Sequence, residues 1–113
     1  MKLVALAAVI AALIVPAAFA STPTLTGTVG PGFTITLKQG SAAVKKLKAG
    51  TYTFKISDKS NLHDFHLQGP GVNKTTSTPK TGNVTWTVTL KKGTYTFVCD
   101  PHKTFMKGSF TVS

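Results

Sequence analysis

Hydrophobic and polar residues alternate with period two along most of the chain. Phe33, Ile35 and Leu37 alternate with Thr34, Thr36 and Lys38, and Tyr52, Phe54 and Ile56 with Thr53 and Lys55. Val84, Trp86, Val88 and Leu90 alternate with Thr85, Thr87 and Thr89. Thr96 and Val98 separate Tyr95, Phe97 and Cys99, and Thr111 separates Phe110 from Val112. Successive side chains of a strand point to opposite faces, so this period predicts strands with one face in a core and the other in water. A weaker first strand is expected near residues 25–29. Gly30-Pro31-Gly32, Gly40-Ser41, Ala49-Gly50, Gly69-Pro70-Gly71, Gly82-Asn83 and Lys92-Gly93 are turn signals between the strands. Residues 41–48 read as one helical turn or a loop, and residues 69–83 as a long polar loop with room for a short strand. Short strands with frequent turns predict an all-β Greek-key sandwich or barrel of about seven or eight strands. One segment is echoed: Leu47-Lys48-Ala49-Gly50-Thr51-Tyr52-Thr53-Phe54 resembles Leu90-Lys91-Lys92-Gly93-Thr94-Tyr95-Thr96-Phe97. Each copy is a glycine turn feeding a strand with two inward aromatics, which predicts equivalent corners of two sheets.

The first twenty residues break the alternation. Met1-Lys2 is a short positive start, residues 3–15 are an apolar run, and Ala18-Phe19-Ala20 gives a small-x-small cleavage pattern before Ser21. This order predicts a signal peptide over 1–20, a single domain over 21–113, and export to the periplasm, the cell surface or the medium. The apolar run is short for a comfortable membrane span, and a retained membrane anchor is the alternative.

Charge narrows the partners. The chain has 13 lysines, no arginine, three aspartates and no glutamate. Twelve lysines and all three aspartates fall in residues 21–113, a side-chain balance of +9. Such a balance favours an acidic protein, or a loose association with an anionic membrane or wall polymer. Nucleic acid is disfavoured, because no arginine is available for bidentate contacts to phosphate or guanine. A solubilising lysine surface that blocks sheet-to-sheet aggregation is the bland alternative. A monomer is expected.

The candidate chemistry begins at Cys99, the single cysteine, which no second cysteine in the chain can pair. A free thiol in an oxidising compartment is exposed to oxidation unless it is buried or metal-bound. His102 follows it by three residues and Met106 follows His102 by four. A thiolate, an imidazole and a thioether form a soft set that selects copper, and two histidines, a cysteine and a weak axial methionine make the blue-copper pattern. The second histidine must be His63 or His66. Parity favours His63, which falls on the same face as Phe65 and Leu67, whereas His66 falls with Leu62 and Asp64; a bulge would reverse the choice. Taken singly, a buried cysteine is more often a small hydrophobe, a loop histidine is ordinary, and a methionine commonly fills a core. Their joint spacing at a strand end is what argues for a site.

Val98-Cys99-Asp100-Pro101-His102-Lys103-Thr104-Phe105-Met106-Lys107-Gly108, preceded by Gly93-Thr94-Tyr95-Thr96-Phe97, resembles the copper loop of cupredoxins of the plastocyanin, pseudoazurin and amicyanin type. His63 is followed by Asp64, where those families typically carry asparagine. The resemblance implies a cupredoxin-like fold and one copper ion. It implies His63, Cys99 and His102 as near-trigonal strong ligands, Met106 as the weak axial ligand, and His102 near the surface as the electron route. The expected function is an exported one-electron carrier cycling between Cu(II) and Cu(I), served by a redox partner protein of acidic character. A copper-delivery protein with the same ligands and a metal-free wall-binding sandwich are the alternatives. Enzyme activity is not expected: no hydrolase triad, second metal cluster or glutamate is available for acid–base work.

Overall fold

A computed structural model describes residues 21–113; the leader segment read over 1–20 lies outside the described residues. Ten strands form two sheets. The first holds β1 (Thr24–Val29), β2 (Ile35–Gln39), β3 (Ala42–Ala43), β5 (Gly50–Asp58) and β8 (Gly82–Leu90), in the order β3-β2-β1-β5-β8. The second holds β4 (Lys46–Leu47), β6 (His66–Gly69), β7 (Val72–Thr75), β9 (Gly93–Val98) and β10 (Lys107–Val112), in the order β4-β10-β9-β6-β7. Most neighbours are antiparallel, but β1 pairs with β5, and β4 with β10, in parallel, as crossovers between sheets require. This is the all-β sandwich expected from the alternation.

The strand number exceeds the expected seven or eight because short segments also pair. Residues 41–48 form neither a helical turn nor a plain loop. Ala42 and Ala43 hydrogen-bond along β2, and Lys46 and Leu47 along β10, with buried Val44 as the pivot that passes the chain from one sheet to the other. Within residues 69–83 the short strand is β7, which covers the edge of β6.

The core lies between the inward faces. Phe65 and Phe97 stack with centroids 5.7 Å apart, and Tyr95 and Phe110 with centroids 5.3 Å apart. Such offset aromatic pairs add to the stabilisation from burial. The echoed segments are corners of opposite sheets: Gly50 opens β5 in the first, and Gly93 opens β9 in the second. At each corner a tyrosine hydroxyl donates to the carbonyl four residues earlier, Tyr52 to Lys48 at 2.7 Å and Tyr95 to Lys91 at 3.0 Å.

Two alternation assignments fail at strand ends. Phe33 precedes β2 instead of joining it, and its ring is 65% exposed. Val84 is 38% exposed although its pairing partner Ile56 is buried. Both lie toward the end of the sandwich where β9 finishes, beyond the closely packed core. Among the described residues no helix is long and apolar enough to cross a membrane.

Candidate metal centre

Cys99 follows the last residue of β9 and continues its inward parity, so its sulfur enters the core end fully buried. The chain then turns through a single 3₁₀ turn, Asp100–His102, with Pro101 in its first positions. That turn returns His102 toward Cys99: the His102 N–H donates to the Cys99 carbonyl at 3.0 Å. Met106 closes the loop. Its N–H donates to the His102 carbonyl at 2.9 Å, and its carbonyl accepts from the Cys99 N–H at 3.0 Å. The Met106 side chain is buried, so the loop is clamped at both Cys99 and His102.

His63 reaches the same point from the chain leading into β6, the neighbour of β9 in the same sheet. It does not sit on a strand; β6 begins only at His66, and His63 lies in the turn before it. The inward parity shared with Phe65 and Leu67 nevertheless holds, and all three are buried. Gly30 makes room for the ring. Its φ of +72° is one that L side chains rarely adopt, and a Cβ there would lie 3.2 Å from His63 Cδ2.

The three donor atoms form a compact triangle. His63 Nδ1 and His102 Nδ1 are 3.1 Å apart, and each is 3.6 Å from Cys99 Sγ. A point equidistant from these corners is about 2.0 Å from each, a length typical of a metal–imidazole bond and slightly short for a metal–thiolate bond. Two imidazole nitrogens and a sulfur gathered about one such point fit a metal ion, and the mix of soft thiolate with imidazole fits copper. Burial pushes the Cys99 thiol above its usual pKa, while hydrogen bonds from the backbone N–H groups of Asp64 and His102 act in the opposite direction. Those N–H groups are the ones that would stabilise a thiolate once it forms.

His66 stands apart from this triangle. Its Nδ1 lies 2.9 Å from Asp100 Oδ2 and its Nε2 lies 2.5 Å from Asn73 Oδ1. Burial works against its charge, yet the Asp100 and Asn73 bonds raise its pKa on balance. Asp100 in turn is opposed by burial but held below the usual carboxylate range by hydrogen bonds with Asp64 and His66. Asp64, assigned by parity to a polar face, is buried instead. Burial first, and a hydrogen bond to the Asp100 side chain second, push its pKa up to about 6. Its Oδ1 accepts the Asp100 N–H at 2.6 Å. That bond ties the His63 turn to the Cys99–Met106 loop.

Sequence reasoning did not foresee this tie, nor the rings around the site. Phe33 packs edge-on against both His63 and His102, with centroids 5.5 Å and 5.2 Å away, and Phe105 lies 5.6 Å from His102. Phe33 and Phe105 are both exposed, so the half-buried His102 ring sits among apolar surface. The Asp64–Asp100–His66 cluster had one legible sign, since Asp64 and His66 shared an outward parity next to the loop. Phe33 had none, because its alternation matched a core strand.

A family model described as a cupredoxin-like domain matches residues 3–112. Among solved structures, reduced rusticyanin at 1.9 Å is 21% identical, with 83% of this chain and 82% of that one covered and a TM-score of 0.58. A structure titled as the copper protein rusticyanin is 20% identical over 83% of this chain and 79% of that one, with a TM-score of 0.57. Rusticyanin from Thiobacillus ferrooxidans is 21% identical over the same shares, with a TM-score of 0.54. At these identities the likeness is one of fold. No curated protein sequence matches the chain.

Proposed function

The chain belongs to the cupredoxin-like domain family, and from that premise we propose that it is an exported blue copper protein that carries one electron at a time. The observation that carries this reading is the triangle of His63 Nδ1, His102 Nδ1 and Cys99 Sγ, with His63 and Cys99 buried and His102 half-buried. His63, Cys99 and His102 would hold the ion, and Met106 would be a further, weaker ligand. When bound, copper supplies a one-electron couple between its two common oxidation states. The residues do the rest. The clamped loop and the Asp64–Asp100 tie hold the three donors in one arrangement, which limits rearrangement as the charge changes. The Asp64 and His102 N–H groups offset negative charge on the sulfur. Phe33 and Phe105 exclude water around His102 and give a redox partner an apolar landing area. Lys103 and Lys107 flank that area, and they would steer an acidic partner.

Protein-film voltammetry of the copper-loaded protein tests the carrier role. A reversible one-electron wave with fast interfacial exchange is expected, and slowed exchange in Phe33→Asp with retained colour would locate the route at His102. An irreversible wave accompanied by loss of metal on reduction would favour copper delivery over electron transfer.

A further inference from the structure

We propose that the end of the sandwich opposite the metal centre docks on an anionic lipid bilayer, with its lysines against the headgroups and the His63–Cys99–His102 end turned away. Strand direction defines the two ends. β9 runs from Gly93 to Val98 and delivers Cys99 to one end, so the turn before Gly93 lies at the other. Lys91 and Lys92 occupy that turn. Lys48 precedes Gly50, which pairs with Leu90 at the same end. Lys46 pairs with Thr111 near the finish of β10, and the Lys45 carbonyl accepts the Thr111 N–H. All five lysines are exposed.

No aspartate offsets them there. Asp58 closes β5 at the metal end, and Asp64 and Asp100 flank the metal ligands. The sole side-chain ion pair among the described residues joins His66 to Asp100, so none of these five lysines is engaged by a carboxylate. The positive balance of the domain is thus concentrated away from its chemistry.

A second observation selects a membrane over a soluble acidic partner. The chain enters the fold at this same end: Thr24 pairs with Thr53 near the start of β5, and the Thr53 N–H donates to the Pro23 carbonyl. The residues that precede it in sequence include the apolar run 3–15 and Lys2, which reach the same bilayer where the run is kept as the membrane anchor, the alternative to cleavage. Basic residues beside an apolar segment recognise anionic lipid, with each lysine near the surface contributing about fivefold in affinity at moderate salt. The opposite end, with His102 and its apolar rim, would then remain open to a partner.

The inference needs no copper, so it is tested on the metal-free full chain, independently of the electron-carrier reading. Flotation with vesicles of phosphatidylcholine alone, and of phosphatidylcholine mixed with phosphatidylglycerol, measures binding. Binding is expected to be tighter to the mixed vesicles than to the neutral ones, and the difference to shrink as salt rises. The triple variant Lys48→Gln, Lys91→Gln, Lys92→Gln should bind on the order of a hundredfold more weakly. A control at other positions, Lys55→Gln, Lys59→Gln, Lys80→Gln, should lose no more than about threefold. All six side chains are exposed, so both variants should keep the parent's circular dichroism. Equal losses in the two variants would overturn the proposal, as would equal binding to neutral vesicles. Failure to bind any vesicle, with retention of a soluble acidic polymer such as polyglutamate, would assign the lysines to an acidic partner instead.

Discussion

Each donor at the metal centre is held by a neighbour that has a separate physical reason to be there. Gly30 lets the backbone pass beside His63 at φ +72°. Gly30→Ala should therefore lower the stability of the metal-free protein by about 1–2 kcal/mol and press the new methyl on the His63 ring. Urea unfolding reads the first effect, and a changed copper electron paramagnetic resonance spectrum reads the second; an unchanged spectrum would show that His63 is not constrained from this side. Asp64 gives a pH signature. Its pKa is raised to about 6, so the folded state holds its proton more tightly than the unfolded chain. A carboxyl of this kind favours folding at low pH, and that contribution is lost as pH rises from about 4 to about 6. The loss is at most about 3 kcal/mol, reduced by the opposite shift of Asp100. Asp64→Asn keeps an oxygen for the Asp100 N–H and removes the titration. Its metal-free urea midpoint should fall less between pH 4 and pH 7 than that of the parent; equal falls would remove Asp64 as the cause.

The strands were legible wherever both of a residue's neighbours on its face were also core. Alternation placed β5, β9 and β10 because Tyr52, Phe54, Tyr95, Phe97, Phe110 and Val112 pack on one another across the sandwich. It misassigned Phe33, whose period-two neighbours enter a strand that starts only at Ile35. A periodic signal cannot see where the opposing sheet stops. The pairings of β3, β4 and β7 were hidden for a related reason: two to four residues are too few to show a period, and their strand character comes from partners distant in sequence. The echo, in contrast, was a real structural repeat, and its two corners differ in a testable way. The Tyr52 hydroxyl makes one hydrogen bond, to Lys48, whereas the Tyr95 hydroxyl accepts the Lys91 N–H and faces the carbonyls of Lys91 and Pro70. Tyr95→Phe should cost about 2–3 kcal/mol and Tyr52→Phe about 1 kcal/mol in the metal-free protein. Equal costs in urea unfolding would mean that the second corner does not fasten the strand that carries Cys99.

At the scale of the whole molecule, the sandwich separates its two jobs. One end gathers the donors, all three aspartates and an apolar rim, and the other gathers lysines and the entry of the chain. If an acidic redox partner meets the His102 rim, its association rate should fall as salt rises, and fall further in Lys103→Glu with Lys107→Glu; stopped-flow transfer to an acidic cytochrome measures this. A rate indifferent to both changes would leave those lysines as solubilising residues. The spacing of Cys99, His102 and Met106 was visible in the sequence, and so was the inward parity that brings His63 beside Cys99 and His102. The tie through Asp64 and Asp100 was not, because it joins residues 36 apart in sequence through a backbone N–H that no composition reveals. The claim on which the rest depends is that the triangle of His63, His102 and Cys99 holds copper through the thiolate. The visible absorption spectrum of the full chain after addition of Cu(II), beside that of Cys99→Ser, tests it most directly. An intense thiolate-to-copper band, blue or green, is expected in the parent and absent in the variant; a parent without that band, or a variant that keeps it, would contradict the account.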